Sequence, residues 1–360
     1  MLRRTLLLAG LVAAAFAFAL WIALSAGKPH TDLIGAVSLT IESIPIDTLD
    51  RFASFKNAEL APHFRFEHGI TLKTRFEAFG GLSALHLSKD RAVLLAITDT
   101  GHWLRATPVW RDGQLVALEQ AVMAPVQAIG GRSLRSIGHG DIEAMAFGPN
   151  GAYLADESYG STVFFAPNVP GSLAAPAQPF KRRAALKKLP TGRGIEALAY
   201  RELDGQAPQL LAIAERNPDS GTGFIPAWLL PATPDSADLQ ALRYEPTPGF
   251  DVSDATFSKQ CGLFVLERKL NWLGFFEMRL KLIQSNRIKA GSTLKGLTLL
   301  ATDSWTSHVD NMEGVSVIDS PDGSCEIFMM SDDNYLPIQS TNLLQFRLSV
   351  IDREHVQPNE

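Results

Sequence analysis

The sequence predicts an all-β fold, a single β-propeller with five visible repeats, preceded by an apolar N-terminal helix. Three observations predict it. One hairpin pattern returns five times, its copies stand at a near-constant spacing, and the mature region nowhere sustains the 3.6-residue period of an amphipathic helix. The clearest copy runs from His139 to Gly160, HGDIEAMAFGPNGAYLADESYG. An acid, Glu143, opens a short apolar run, a Pro-Asn-Gly turn follows, and a second apolar run ends on Asp156-Glu157. In an antiparallel pair the two ends are neighbours, so each copy brings its opening and closing residues together.

The other copies run from Gly81 to Asp99, Gly194 to Glu215, Val252 to Glu267 and Met312 to Asp332. Their opening residues are Ser83, Glu143, Glu196, Asp254 and Glu313, which gives steps of 60, 53, 58 and 59 residues. Further alternating runs after each hairpin, such as His102 to Trp110 and Gln114 to Val122 around Arg111-Asp112-Gly113, supply four strands per repeat, the content of one blade. A β-sandwich would not repeat one hairpin five times, and solenoid repeats are generally shorter. Residues Thr31 to Gly80 are the least repetitive; their strands, Ala36–Ile41 and Ile70–Phe76, are candidates to complete the last blade and close the ring, or to contribute to a sixth.

Composition excludes some functions. With 46% hydrophobic residues, 20% charged residues and a net charge of -5, the chain is an ordinary globular one without a nucleic-acid surface; its one basic run, Lys181 to Lys188, lacks aromatics for base stacking. Arg3-Arg4 followed by an apolar stretch from Leu6 to Leu24 reads as a signal peptide or membrane anchor over residues 1–27. The propeller then occupies 31–350, and 351–360 form a polar tail. The expected location is the periplasm, or the periplasmic face of the inner membrane if the segment is not cleaved, with a monomer expected. An oxidising compartment permits a disulfide between the two cysteines, Cys261 and Cys325, with a pair of buried thiols as the alternative.

The motifs GGLSAL at 80–85, Ile142-Glu143-Ala144 with Ala155-Asp156-Glu157, and GIEAL at 194–198 with Ala214-Glu215-Arg216-Asn217 resemble the bacterial phytase-like domain family, described as having esterase-like activity of phytase. The resemblance spans roughly Gly80 to Phe346. It implies an exported propeller and hydrolysis of an ester or phosphoester.

The residues themselves point to chemistry at one rim of the ring. Inner strands of a propeller line its channel, so Glu143, Glu196, Asp254 and Glu313 are expected round one axis, with Asp99, Glu157, Glu215, Glu267 and Asp332 close behind. Carboxylates so crowded cannot all stay ionised without compensation. A hard cation such as Ca²⁺, which takes six to eight oxygen ligands, would supply it; arginine partners such as Arg193, Arg216 and Arg268 would supply it differently. His139 and His308 precede rim acids closely and are the candidate general acid or base residues. No Gly-x-Ser-x-Gly elbow and no phosphate-binding glycine loop is present. The expected function is therefore a calcium-assisted hydrolase of small phosphate or carboxylic esters, the alternative a non-catalytic binding or envelope scaffold propeller.

Overall fold

A computed structural model describes residues 32–44 and 63–349, apart from 159, 182–185, 187–188, 190–192, 204, 218–222, 237 and 304–308. The N-terminal segment, the C-terminal tail and His308 lie outside the described residues. The described residues hold strands and short 3-10 turns, arranged in five sheets.

Blade 1 is built from Leu82–Leu87, Leu94–Thr98, His102–Arg111 and Gln114–Pro125, with Gly35–Ala36 added at its outer edge. Blade 2 holds Ile142–Gly148, Gly151–Asp156, Thr162–Pro167 and Gln178–Pro179. Blade 3 holds Ile195–Arg201, Gln209–Ala214, Ile225–Pro231 and Gln240–Glu245. Its outer edge is covered by Thr293–Lys295, a parallel strand lent by the chain of the next blade. Blade 4 holds Asp251–Ser258, Gly262–Leu270, Phe276–Ile283 and Leu297–Asp303. Blade 5 begins with Asn311–Asp319, Cys325–Asp332 and Thr341–Leu348, and is completed by the early strands Phe64–Lys73 and Thr40–Ser43. The chain thus makes five blades, not six, and the early residues close the ring by pairing with the last blade. Phe64–Lys73 covers the long edge of Thr341–Leu348 and leaves the four-residue Thr40–Ser43 as the outer edge of that blade.

The innermost strands of successive blades pack side by side all the way round, the first against the last included. Being covered on both faces, they read as near-continuous apolar or small residues; Leu82–Leu87 and Ile195–Arg201 are almost wholly buried. At the closing seam Phe64 stacks on Phe346 with ring centroids 5.3 Å apart. Cys261 and Cys325 are joined, with sulfurs 1.97 Å apart, and the bond ties blade 4 to blade 5.

Every inner strand carries a β-bulge at the same place. The register slips between Leu82 and Ala84, Ile142 and Ala144, Ile195 and Ala197, Val252 and Asp254, and Met312 and Gly314. A bulge leaves one residue unpaired and re-aims its side chain. The five residues so placed are Ser83, Glu143, Glu196, Ser253 and Glu313.

Candidate functional site: an acidic cavity at the channel mouth

The bulges and the ends of the second strands enclose a cavity of about 210 Å³ at one end of the channel. Three backbone positions per blade decide its chemistry. The first precedes the bulge by two residues: Gly81, Asp141, Gly194, Asp251 and Asn311. The second is the bulge residue. The third follows the paired end of the second strand opposite the first: Asp99, Glu157, Glu215, Arg268 and Asp332, held there by pairings such as Asp99 N–H to Gly81 O at 2.6 Å and Glu157 N–H to Asp141 O at 2.9 Å. Glycine at the first position makes room. A Cβ on Gly81 would stand 2.1 Å from Asp99 Oδ1, and its φ of +61° is one that side chains resist.

Among the described residues, seven carboxylates line the cavity, from Asp99, Glu143, Glu157, Glu196, Glu215, Glu313 and Asp332, together with one cation, Arg268, and with Gly81, Ser83 and Asn334. Arg268 Nη1 lies 2.7 Å from Glu313 Oε1 and donates to Asn311 Oδ1 at 2.8 Å, while Nη2 donates to Glu196 Oε1 at 3.3 Å. Its burial alone would lower its pKa, yet Glu313, then Glu196, Glu215 and Glu143, hold it above the ordinary arginine value. Burial pushes Glu143 well above the usual carboxylate range, with Glu196, Asp99, Glu157 and Asp141 adding repulsion. Glu196 and Asp332 are raised chiefly by burial as well. Burial raises Glu157 to about 7 against a backbone hydrogen bond from Gly194, and raises Glu313 to about 7 even with Arg268 beside it. Protons or cations must therefore balance the cavity near neutral pH.

Two residues expected in the ring stand elsewhere, both in blade 4. Asp254 follows the bulge instead of occupying it, and its side chain leaves the cavity. Its Oδ1 accepts from its neighbour Ala255 N at 2.8 Å, and its Oδ2 accepts from Val315 N of blade 5 at 2.7 Å. Glu267 likewise falls one residue short of the rim. Fully buried, it accepts from Tyr244 Oη at 2.7 Å and from Thr247 N at 3.0 Å, and lies 3.2 Å from Lys281 Nζ. A one-residue slip in a strand turns each side chain to the other face. The equivalent positions hold Ser253 and Arg268. Ser253 Oγ donates to Met312 O of blade 5 at 2.9 Å, as Ser83 Oγ donates to Ile142 O of blade 2 at 2.7 Å. A serine at the bulge thus staples its blade to the next.

His139 sits beside the site without lining it. Its Nδ1 is 2.8 Å from Oδ2 of the fully buried Asp156, whose Oδ1 accepts from Ser158 Oγ at 2.7 Å. Sequence reasoning missed Asp141, which joins Glu143 and Glu157: one carboxylate oxygen from each lies within 4.8 Å of the others, close enough for the three to hold a metal ion. It also missed Asn334 on the loop after blade 5's second strand. A signal for the right phase existed: in all five copies the bulge residue follows a large apolar residue, Leu82, Ile142, Ile195, Val252 or Met312.

Fold and site together define an all-β, five-bladed propeller with an acidic mouth. The chain belongs to the phytase-like family: the model of that family, described as esterase-like activity of phytase, matches residues 77–335. No curated protein matches the sequence significantly. Among solved structures, a gluconolactonase from Xanthomonas campestris is 10% identical, with a TM-score of 0.44 over 85% of this chain and 97% of its own. An α-L-arabinofuranosidase from Podospora anserina, in complex with cellotriose, is 11% identical, with a TM-score of 0.43 over 76% and 93%. A glucose dehydrogenase is 10% identical, with a TM-score of 0.40 over 76% and 98%. At such identities and scores these likenesses carry no argument about function.

Proposed function

We propose that this chain is an exported hydrolase of small phosphate or carboxylic esters, working as a monomer at the acidic cavity with a hard divalent cation, Ca²⁺, as its cofactor. The observation that carries this reading is the corner formed by Asp141, Glu143 and Glu157. Its donors are all carboxylate oxygens, which suit a hard cation and disfavour the nitrogen- and sulfur-seeking metals. Glu196 and Glu313 already share Arg268, so they belong to the electrostatic frame of the site more than to the ligand set. A bound cation would supply Lewis acidity toward an ester or phosphoryl oxygen.

Around that corner the protein's own groups have defined tasks. Asp156 Oδ2 lies 2.8 Å from Nδ1 of His139; with the carboxylate ionised, Nδ1 is the donor, and the pair holds the ring in place beside the corner. His139 and His308 carry the expectation of a general acid or base from the sequence. Arg268 keeps Glu196 and Glu313 compensated, so an anionic substrate meets fewer unpaired charges. The Cys261–Cys325 bond and the apolar stretch from Leu6 to Leu24 support export to an oxidising compartment. The competing reading, a binding or scaffold propeller, draws on the same Arg268 pairs, which knit blades 3, 4 and 5 without a ligand.

Melting temperatures of wild type and Glu143→Gln, each with Ca²⁺ and with chelator, test the cation. Ca²⁺ should stabilise the wild type, by about 2.7 kcal/mol at a hundredfold excess over Kd, and should stabilise the variant far less. A wild type that melts alike in both conditions ends the metal reading. A screen of chromogenic esters and phosphoesters, with and without chelator, then separates hydrolase from scaffold.

A further inference from the structure

Among the described residues, the exposed large apolar side chains gather at one end of the propeller. Second strands run toward the cavity, and in blade 4 the chain continues past Arg268 to Leu270 and a tip holding Trp272 and Leu273, all three exposed, Trp272 by 87%. Ile338 stands in the loop after Asp332, and Ile129 and Ile137 in the connection that leads to Glu143. Gly35 pairs with Met123 near the cavity end of blade 1's fourth strand, which puts exposed Ile34 there too. Among the described residues no exposed large apolar side chain lies at the opposite end, where the channel is rimmed by Lys89, Glu202, Lys259 and Asp319.

The blade 4 tip is built to hold its side chains out. Asn271 Oδ1 accepts from the backbone N–H groups of Leu273 and Phe275, both at 3.0 Å, and Gly274 N–H returns to Asn271 O. An ordered loop that presents tryptophan and leucine to water gains by burying them elsewhere. The chain's course says against what. The apolar stretch from Leu6 to Leu24 precedes Asp32 by only the seven residues 25–31, which reach at most about 25 Å when extended. Asp32 enters the propeller at this same end.

We infer that the cavity face docks on a lipid bilayer, with Trp272 and Leu273 seated at the boundary between headgroups and acyl chains, where tryptophan concentrates. The seven cavity carboxylates match this face to a zwitterionic surface, not an anionic one. So placed, the cavity opens toward headgroups. The inference stands on surface apolarity and chain direction, and holds whether or not the cavity hydrolyses anything.

The full chain is reconstituted in phosphatidylcholine vesicles, and Trp272 is isolated as the difference between wild type and Trp272→Phe. Lipids brominated near the headgroup should quench the Trp272 component, and iodide quenching should fall severalfold relative to lipid-free protein. Backbone exchange should slow at 271–274 and 333–340 but not at the turns 88–93 and 259–261. The inference is overturned if iodide reaches Trp272 equally with and without vesicles. It is also overturned if Trp272 becomes shielded without lipid as protein concentration rises, which would make the partner a second copy.

Discussion

Replacing Arg268 with methionine tests whether charge balance governs the cavity. Methionine keeps an unbranched apolar stem but removes the guanidinium that meets Glu313 at 2.7 Å, Asn311 at 2.8 Å and Glu196 at 3.3 Å. Removing one partner of a buried ion pair costs about 3–5 kcal/mol, because the remaining charge is left uncompensated. Protonation can relieve that charge. Glu313 stands at about 7 with the arginine present and moves higher without it, so at pH 5 the variant carries it neutral. The full loss should therefore appear at pH 8, and only about 1 kcal/mol, the worth of lost hydrogen bonds, at pH 5. A propeller of about 300 residues melts with an entropy near 0.6 kcal/mol/K, so the Tm should fall by about 5–8 °C at pH 8 and about 2 °C at pH 5. Scanning calorimetry in chelator measures both. Equal losses at the two pH values would refute the reasoning, since a packing defect does not depend on proton uptake.

Wild type in chelator should lose stability as pH rises from about 4.5 to about 7: Glu157 and Glu313 have native pKa values raised to about 7, so the native state binds more protons than the unfolded chain in that window. A Tm that climbs across this range contradicts it, and added Ca²⁺ should flatten the upper end. Changing both Cys261 and Cys325 to alanine opens a cross-link of separation 64, worth at most about 4 kcal/mol by chain entropy, and calorimetry of the variant should show a loss below that bound. Ser83→Ala and Ser253→Ala should each cost about 1 kcal/mol, unaffected by Ca²⁺, and the two should add because the staples lie in different seams; denaturant midpoints for the single and double variants check this.

The five-fold plan was legible because a repeated hairpin leaves a repeated pattern; the early strands were candidates for closing the last blade or for a sixth, and only their pairing with Thr341–Leu348 decides between the two. Phase was harder. In blade 4 the acids Asp254 and Glu267 drew the alignment one residue along each strand, whereas packing follows the apolar residue Val252, whose counterparts are Leu82, Ile142, Ile195 and Met312. Buried apolar side chains fix the phase of a strand, and a polar residue next to the rim can fall on either side of it. Arg268 was legible as a partner for the acids, but not as the residue that takes an acid's place. The approach of Asp141 to Glu143 and Glu157 was not readable either, because it depends on how a bulge aims its side chain.

Symmetry of the backbone and asymmetry of the side chains together set the character of the mouth. Of the fifteen positions that frame the mouth, only blade 2 places an acid at all three, Asp141, Glu143 and Glu157; blade 1 has glycine, serine and Asp99, and blade 4 has Asp251, serine and arginine. Arg268 reaches one blade to either side, to Glu196 in blade 3 and Glu313 in blade 5. Blade 2 lies beyond those neighbours. Blade 2's carboxylates thus lie outside the hydrogen-bonded pairs of Arg268, and Glu143 there is pushed up by burial and by Glu196, Asp99, Glu157 and Asp141, while its link to Arg268 is through charge alone. An arginine in blade 1 or blade 3 would stand one blade from blade 2, as Arg268 stands to Glu196 and Glu313, so its place in blade 4 decides which carboxylates it pairs with.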